Sequence, residues 1–211
     1  SYMYKLAIVG ATGLVGRTVL KILEEKNLPI YEYVFFSSQK SAGSVINFKN
    51  KDYVVRELKE DSFLKEYFDF AVFSAGASTA LKYAPIASKN GCTVIDNSSA
   101  FRMDKDVPLV VPEVNSEEIY NHKGIISNPN CSTIQAVVAL KPLDEHYNIK
   151  RIVYSTYQAV SGAGYSGIVD YKNGFTNFDI GKGMLFDNSS DFSYPLLKFH
   201  YPIFNNCLPH I

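Results

Sequence analysis

An α/β fold is expected: a Rossmann-like, doubly wound and mostly parallel sheet, followed by the beginning of a second, α+β domain. Three observations predict it. A short apolar strand runs into a glycine-punctuated turn and an amphipathic helix at the start of the chain. Apolar strands then alternate with helical segments as far as the stretch around residue 130, and this alternation implies parallel strands joined by helical crossovers. After Tyr147 the pattern changes to a longer strand of mixed β-branched and aromatic residues.

The elements follow in order. Lys5 to Val9 is the first strand, Gly10 to Gly16 the turn, and Leu14 to Glu25 a helix whose inner face is expected to hold Leu14, Val15, Val19, Ile22 and Leu23. Tyr31 to Phe36 reads as the second parallel strand, followed by the polar loop Ser37 to Gly43. Strands are expected near Tyr53 to Glu57, Phe70 to Ser74 and Thr93 to Asp96, with helices near Ser62 to Tyr67 and Ala77 to Lys89. Val107 to Val114 and Gly124 to Ser127 look like further strands, separated by a helix capped at Asn115 or Ser116 with Glu117 and Glu118 in its first turn. A buried helix is expected from Cys131 to about Tyr147, and Lys150 to Val160 as the longer strand, while Tyr171 to Asn206 has weak periodicity and no clear assignment. The domain boundary is placed at residues 130/131, giving a first domain over 1–130 and an incomplete second domain over 131–211.

Composition narrows the function classes. Lys plus Arg and Asp plus Glu balance at 21 each, which leaves no electrostatic case for nucleic acid or an anionic membrane as the main partner. No apolar run approaches the roughly 20 residues of a membrane span. Three cysteines, Cys92, Cys131 and Cys207, form an odd set without metal-ligand spacing; reduced thiols in a cytoplasmic compartment are expected, with no metal, and with Cys92 and Cys207 as packing residues.

Two segments carry chemistry. In Ser127-Asn128-Pro129-Asn130-Cys131-Ser132-Thr133 a cysteine opens a helix after a short strand. The unpaired N–H groups and positive dipole end of that first turn stabilise a thiolate, so a nucleophile is a better reading than a packing cysteine. Gly10-Ala11-Thr12-Gly13-Leu14-Val15-Gly16 has the spacing GxxGxxG, which is weak evidence alone. Between a strand and a helix, however, Gly10, Thr12, Gly13, Leu14, Val15 and Gly16 sit where backbone must approach a pyrophosphate. The end of the second strand holds Ser37 and Ser38, then Lys40 and Ser41, where an NAD site normally has a carboxylate; a cation among hydroxyls suits a 2′-phosphate and favours NADP.

Read together, GATGLVG at 10–16, SAGAS at 74–78, DNSSAFR at 96–102, VPEVN at 111–115, SNPNCST at 127–133 and YQAVSGAG at 157–164 resemble the aspartate-semialdehyde dehydrogenase family over almost the whole chain. The resemblance implies reversible, NADP-dependent reductive dephosphorylation of an aspartyl phosphate to the semialdehyde, in amino-acid biosynthesis. It implies that Cys131 is the nucleophile that forms the acyl thioester and that Gln158 orients the acyl group. Arg102 would clamp the substrate phosphate, with Asn97 and Ser98 as weaker candidates, and Ser161 and Gly162 would line the nicotinamide end. Asn130 and the N–H of Cys131 are candidate oxyanion donors. Lys40 stands where members often have arginine.

The expected partners are a small acyl phosphate or semialdehyde and inorganic phosphate, with a homo-oligomer when full length. The family's acid/base histidine and substrate-carboxylate arginine belong to a part of the second domain for which this sequence has no counterpart. None of His122, His146, His200 or His210 lies in a matching block, so little turnover is expected of this polypeptide alone. Two rivals stand beside this reading. One is an N-acetyl-glutamyl-phosphate reductase, which has glycine where Asn130 precedes the thiol. The other is a noncatalytic NADP-binding or assembly module with an inert Cys131.

Overall fold

The structure, a computed structural model, describes residues 2–177 and 195–209 and divides into two compact units, Ser1–Ile152 and Val153–Ile211. This geometric division differs from the functional partition at 130/131, because the helix that begins at Cys131 packs with the first unit.

In the first unit the elements are β1 (Tyr4–Val9), α1 (Leu14–Glu25), β2 (Ile30–Ser37), β3 (Val45–Phe48), β4 (Lys51–Val54), β5 (Arg56–Glu57), β6 (Phe70–Phe73), α2 (Ala77–Lys89), β7 (Thr93–Asp96), α3 (Pro112–Asn115), a 3₁₀ segment (Ser116–Asn121), β8 (Ile125–Ser127) and α4 (Cys131–Tyr147). Six strands form one parallel sheet in the order β5-β2-β1-β6-β7-β8, while β3 and β4 make a separate antiparallel hairpin. The chain steps outward from β1 to β2 and β5, then returns to β6 and continues to β8 on the other side. This reversal beside β1 is the switch point of a doubly wound sheet, and it opens a crevice at the carboxyl ends of the strands.

Alternation along β1 and β2 divides the core between the two faces of the sheet. Ala7, Val9, Val34, Phe36, Ala71 and Phe73 are buried on one face against Ala80, Ala84 and Ala87 of α2. Those alanines let the helix lie close to the sheet. Leu6, Ile8, Tyr33 and Phe35 are buried on the other face, against Leu20 and Leu23 of α1 and against Phe48 of the hairpin. Each such large side chain contributes about 1.5–3 kcal/mol on burial.

Several elements depart from expectation. On α1 the buried positions are Gly16, Leu20 and Leu23, whereas Leu14, Val15 and Ile22 are exposed. The helix is apolar on more than one side; the contact of Gly16 with the backbone of Gly10 and Ala11 decides which side turns inward. The strand expected over Tyr53 to Glu57 is split between β4 and β5, and β3 pairs with β4 around a turn at Lys49 and Asn50, both at positive φ. Ser62 to Tyr67 is a series of turns, not a helix: Leu64 and Lys65 both donate to the Asp61 carbonyl, and so short a segment does not offset helix nucleation.

Val107 to Val114 is not a strand. Leu109 makes one isolated bridge to Ser127, and Pro112, which lacks an N–H, starts α3 instead. Residues Lys150 to Ala159 form no strand, because no neighbouring strand among the described residues shares their ladder hydrogen bonds. The helix α4 spans the expected residues but has no buried side chain. Cys207, expected to pack, is exposed.

The second unit contains a 3₁₀ turn (Val160–Ala163) and α5 (Gly164–Thr176). Asp170 of α5 is fully buried, and its carboxylate accepts the backbone N–H groups of Leu197, Lys198 and Phe199 at 2.7, 2.8 and 2.9 Å. Burial alone would raise its pKa; the three amide donors override that and hold the carboxyl below its usual range. Part of the stretch without a sequence assignment, 178–194, and His210 lie outside the described residues.

Candidate active site

The glycine turn after β1 is held tightly. Gly10 has φ +87° and donates to the Phe36 carbonyl at 2.9 Å, and Ala11 donates to the same oxygen at 3.2 Å. A side chain on Gly10 would overlap the Ser74 carbonyl at the end of β6, and one on Gly16 would overlap the Gly10 carbonyl. These two glycines therefore bring β1, β2, β6 and α1 together. Gly10 cannot offer its N–H to a ligand, because Phe36 already takes it. The N–H groups of Leu14, Val15 and Gly16 open α1 and have no partner one turn back, so they are the donors that suit a pyrophosphate. Gly13 caps α1 without a side chain, and Leu14 and Val15 are exposed beside it. Arg17 stiffens the turn by donating from Nε to the Thr12 carbonyl at 3.1 Å.

At the end of β2, Ser37 is buried and its hydroxyl donates to the Ser38 carbonyl at 3.1 Å. The loop folds on itself: Ser41 N–H donates to Ser38 at 3.0 Å, and Ser44 Oγ donates to the Ser41 carbonyl at 2.7 Å. Ser38 and Lys40 are exposed at its tip, and among the described residues no carboxylate pairs with Lys40. The cationic group is thus available for an anion, whereas the Ser37 hydroxyl is engaged within the strand end.

The loops after β7 and β8 meet. Asp96 is fully buried; its carboxylate accepts the Ser98 N–H at 3.0 Å and the Ser98 hydroxyl at 2.7 Å, and Ser98 Oγ in turn accepts the Ala100 N–H at 3.1 Å. Ser98 is therefore spent on the turn rather than turned toward a ligand. Arg102 is half-buried, donating from Nε to the Asn128 carbonyl at 2.9 Å and from Nη2 to the Asn97 carbonyl at 3.1 Å. Asn128, which the sequence did not single out, also donates from Nδ2 to Asn97 Oδ1 at 2.7 Å. Its only signal in the sequence is an asparagine at a strand end just ahead of a helix cap.

Cys131 is exposed as the first residue of α4. Asn130 is the N-cap: its Oδ1 accepts the N–H of Ser132 at 2.9 Å and of Thr133 at 3.4 Å. The cap leaves the Cys131 N–H as the first-turn amide outside it, and leaves Asn130 Nδ2 as the side-chain donor. The other cysteine of this unit contrasts sharply, since burial pushes the Cys92 thiol up to about 12. His122 and His146 are bound within their own segments, Nδ1 of His122 accepting from Gly124 N–H at 3.0 Å and Nδ1 of His146 lying 2.8 Å from the Pro142 carbonyl. His146 stands 15 residues along α4 from Cys131, or about 22 Å at the helical rise.

The first unit therefore gathers the glycine turn, the Ser37–Ser41 loop, Asn97, Arg102, Asn130 and Cys131 on the carboxyl edge of one sheet. Gln158, Ser161 and Gly162 belong to the second unit, where all three are exposed near the start of the Val160–Ala163 turn. Among the described residues no group of His, Cys, Asp or Glu side chains could hold a metal ion, and no helix is long and apolar enough to cross a membrane.

Comparison with known proteins shows what the chain resembles. The description "Semialdehyde dehydrogenase, NAD binding domain" matches residues 5–122, and "Semialdehyde dehydrogenase, dimerisation domain" matches 140–211. The chain is 54% identical over 211 residues to the aspartate-semialdehyde dehydrogenase of Aquifex aeolicus, covering 99% of this chain and 59% of that protein. It is 50% identical over 163 residues to that of Bacillus subtilis, covering 77% of this chain and 46% of the other. Among solved structures, aspartate semialdehyde dehydrogenase II of Vibrio cholerae superposes with a TM-score of 0.86 at 41% identity, over 100% of this chain and 60% of that one. The enzyme of Candida albicans, solved with NADP, gives 0.59 at 28% identity over 70% of this chain and 48% of its own. The chain thus spans about 46–60% of the length of these relatives. With the first match alone covering more than half of the residues, the chain belongs to the semialdehyde dehydrogenase family, and the relatives it resembles at 50–54% identity are aspartate-semialdehyde dehydrogenases.

Proposed function

We propose that this chain is the cofactor-binding and nucleophile-bearing part of an NADP-dependent aspartate-semialdehyde dehydrogenase. The reaction is the reversible conversion of aspartyl phosphate to aspartate semialdehyde and inorganic phosphate. The observation that carries the proposal is the junction of the β7 and β8 loops: an exposed cysteine opens α4, and three residues earlier a carbonyl holds the Arg102 guanidinium.

Each residue has a role that follows from its chemistry. Cys131 Sγ, in the positive first turn of α4, attacks the acyl carbon and forms a thioester as the C–O bond to phosphate breaks. The Cys131 N–H and Asn130 Nδ2 stabilise the oxyanion of the tetrahedral intermediate. Arg102 binds the phosphate, for which a guanidinium offers paired donors; Asn97 supports it and Ser98 braces the turn. Gln158 orients the acyl group, and Ser161 and Gly162 line the nicotinamide. NADPH, when bound, supplies the hydride that reduces the thioester. The glycine turn is compatible with that cofactor, since neighbouring backbone leaves no room for a side chain at Gly10 or Gly16, and the first-turn amides of α1 have no partner one turn back. Lys40 and the Ser38–Ser41 loop bind the 2′-phosphate. The chain acts as part of a homo-oligomer formed through the dimerisation domain. By itself it turns over little: Nδ1 of each described histidine of the first unit is engaged by backbone of its own segment, and His146 stands about 22 Å along α4 from Cys131.

The test follows NADPH formation from aspartate semialdehyde, phosphate and NADP, with this chain and with the chain extended by the C-terminal residues of a relative. Activity is expected only in the longer protein, with NADP favoured over NAD, and Cys131→Ser should lower it by at least about 10³-fold. Equal rates with NAD would overturn the cofactor assignment; an active Cys131→Ser variant would overturn the thioester.

A further inference from the structure

We infer that Asn128 is a positioning residue that sets the orientation of the Arg102 guanidinium, through an amide lock between the loops that end β7 and β8. The inference rests on the proposed role of Arg102 as the phosphate clamp.

Two of the five N–H groups of Arg102 are already committed, Nε–H to the Asn128 carbonyl at 2.9 Å and one N–H of Nη2 to the Asn97 carbonyl at 3.1 Å. Both N–H groups of Nη1 and the second N–H of Nη2 remain outside these two bonds, and guanidinium donors of this kind are matched to the oxygens of a phosphate. The direction of those groups depends on the two carbonyls that grip Nε and Nη2.

Those carbonyls come from different strand ends, so their separation is not set by one stretch of backbone. The Asn128 side chain supplies the link, donating from Nδ2 to Asn97 Oδ1 at 2.7 Å, while its own N–H continues the ladder to the Asp96 carbonyl at 2.8 Å. On the far side the loop is already rigid, because the buried Asp96 carboxylate holds both the N–H and the hydroxyl of Ser98. Asn128 therefore adds a side-chain tie between the two strand ends that frame Arg102. Pro129 and the Asn130 cap follow directly, so the same residue relates the clamp to the turn that bears Cys131. A small error in such a frame is costly, because misplacing a binding group by about 1 Å can lose up to about 10²-fold in rate.

The test uses the 211-residue chain, with inorganic phosphate as the probe. Iodoacetamide labelling of Cys131 is followed peptide by peptide, and the phosphate concentration that halves each protein's own unprotected rate is measured; Cys207 serves as the internal reference. Thermal unfolding of every variant is recorded alongside. Asn128→Ala is expected to raise the half-protecting concentration about tenfold, Arg102→Ala to abolish protection, and the double variant to behave as Arg102→Ala alone, because Asn128 acts through Arg102. Asn97→Ala attacks the same bond from the other strand end and should reproduce the shift if Asn128→Ala fails to fold. A purely structural role would lower the unfolding temperature and leave the half-protecting concentration in place. Protection of Asn128→Ala at the wild-type concentration, with Arg102→Ala unprotected, overturns the positioning role and leaves the clamp standing. Full protection of Arg102→Ala overturns the clamp, and the inference with it.

Discussion

At the scale of single residues, the site depends on positions where only one side chain, or none, is sterically possible. Gly10 combines a left-handed backbone with direct contact against the Ser74 carbonyl, so Gly10→Ala meets both strain and overlap. Such backbone strain costs about 1–3 kcal/mol, and the overlap adds to it. Urea unfolding of Gly10→Ala should therefore show a loss of at least about 2 kcal/mol, accompanied by lost NADP binding. The same scale explains why the cysteines differ. Cys92 is buried behind α2 and its thiol is pushed up to about 12, whereas Cys131 is exposed in an electropositive turn. Near neutral pH, labelling of Cys131 should outpace that of Cys92 by at least about 10²-fold. Comparable labelling of the two would count against the nucleophile.

Elements turn those residues into a site. A parallel strand that ends in a polar residue delivers it to the carboxyl edge, and β7 and β8 do so in register, with Asp96 opposite Ser127. The next residues, Asn97 and Asn128, therefore start level, and their side chains meet. A different device fastens the second unit, where the Asp170 carboxylate on α5 holds three consecutive amides from Leu197 to Phe199. Asp170→Asn retains the shape but presents an N–H toward backbone donors, so the amides of 197–199 should exchange at least about tenfold faster by mass spectrometry. The pH dependence has a definite sign. The folded-state pKa is lowered, so the folded state takes up a proton less readily than the unfolded one. The fastening is complete above the ordinary carboxylate pKa of about 3.9 and is lost as pH falls through the lower folded value.

For the whole molecule, both core clusters lie within the first compact unit, one on each face of its sheet. Residues 1–152 have the core, the glycine turn and the Lys40 loop, and should fold without the remainder. The fragment should unfold cooperatively, and NADP at about 100 times its Kd should stabilise it by about 2.7 kcal/mol, a rise in unfolding temperature of about 5–10 °C. NAD at the same concentration should give a smaller rise. The absence of any such rise would separate the glycine turn from cofactor binding.

Local pattern by itself determined the frame: β1, α1, β2, α2, β7 and α4 all fall within a residue or so of their expected limits, because each is an apolar run bounded by glycine, proline or a cap. It also singled out the residues proposed to bear the chemistry, since a cysteine after Asn-Pro-Asn and a glycine turn after an apolar strand are recognisable without coordinates. Tertiary structure decided what depends on distant partners. The inward side of α1 was settled by the approach of Gly16 to Gly10, and the hairpin of β3 and β4 by Phe48 seating against Tyr33 and Phe35. The grip of Asn97 and Asn128 on Arg102 came from loops that converge only when β7 and β8 pair. Periodicity reports which residues favour burial or turning, but hydrogen-bond partners remote along the chain are chosen by the packing of the sheet.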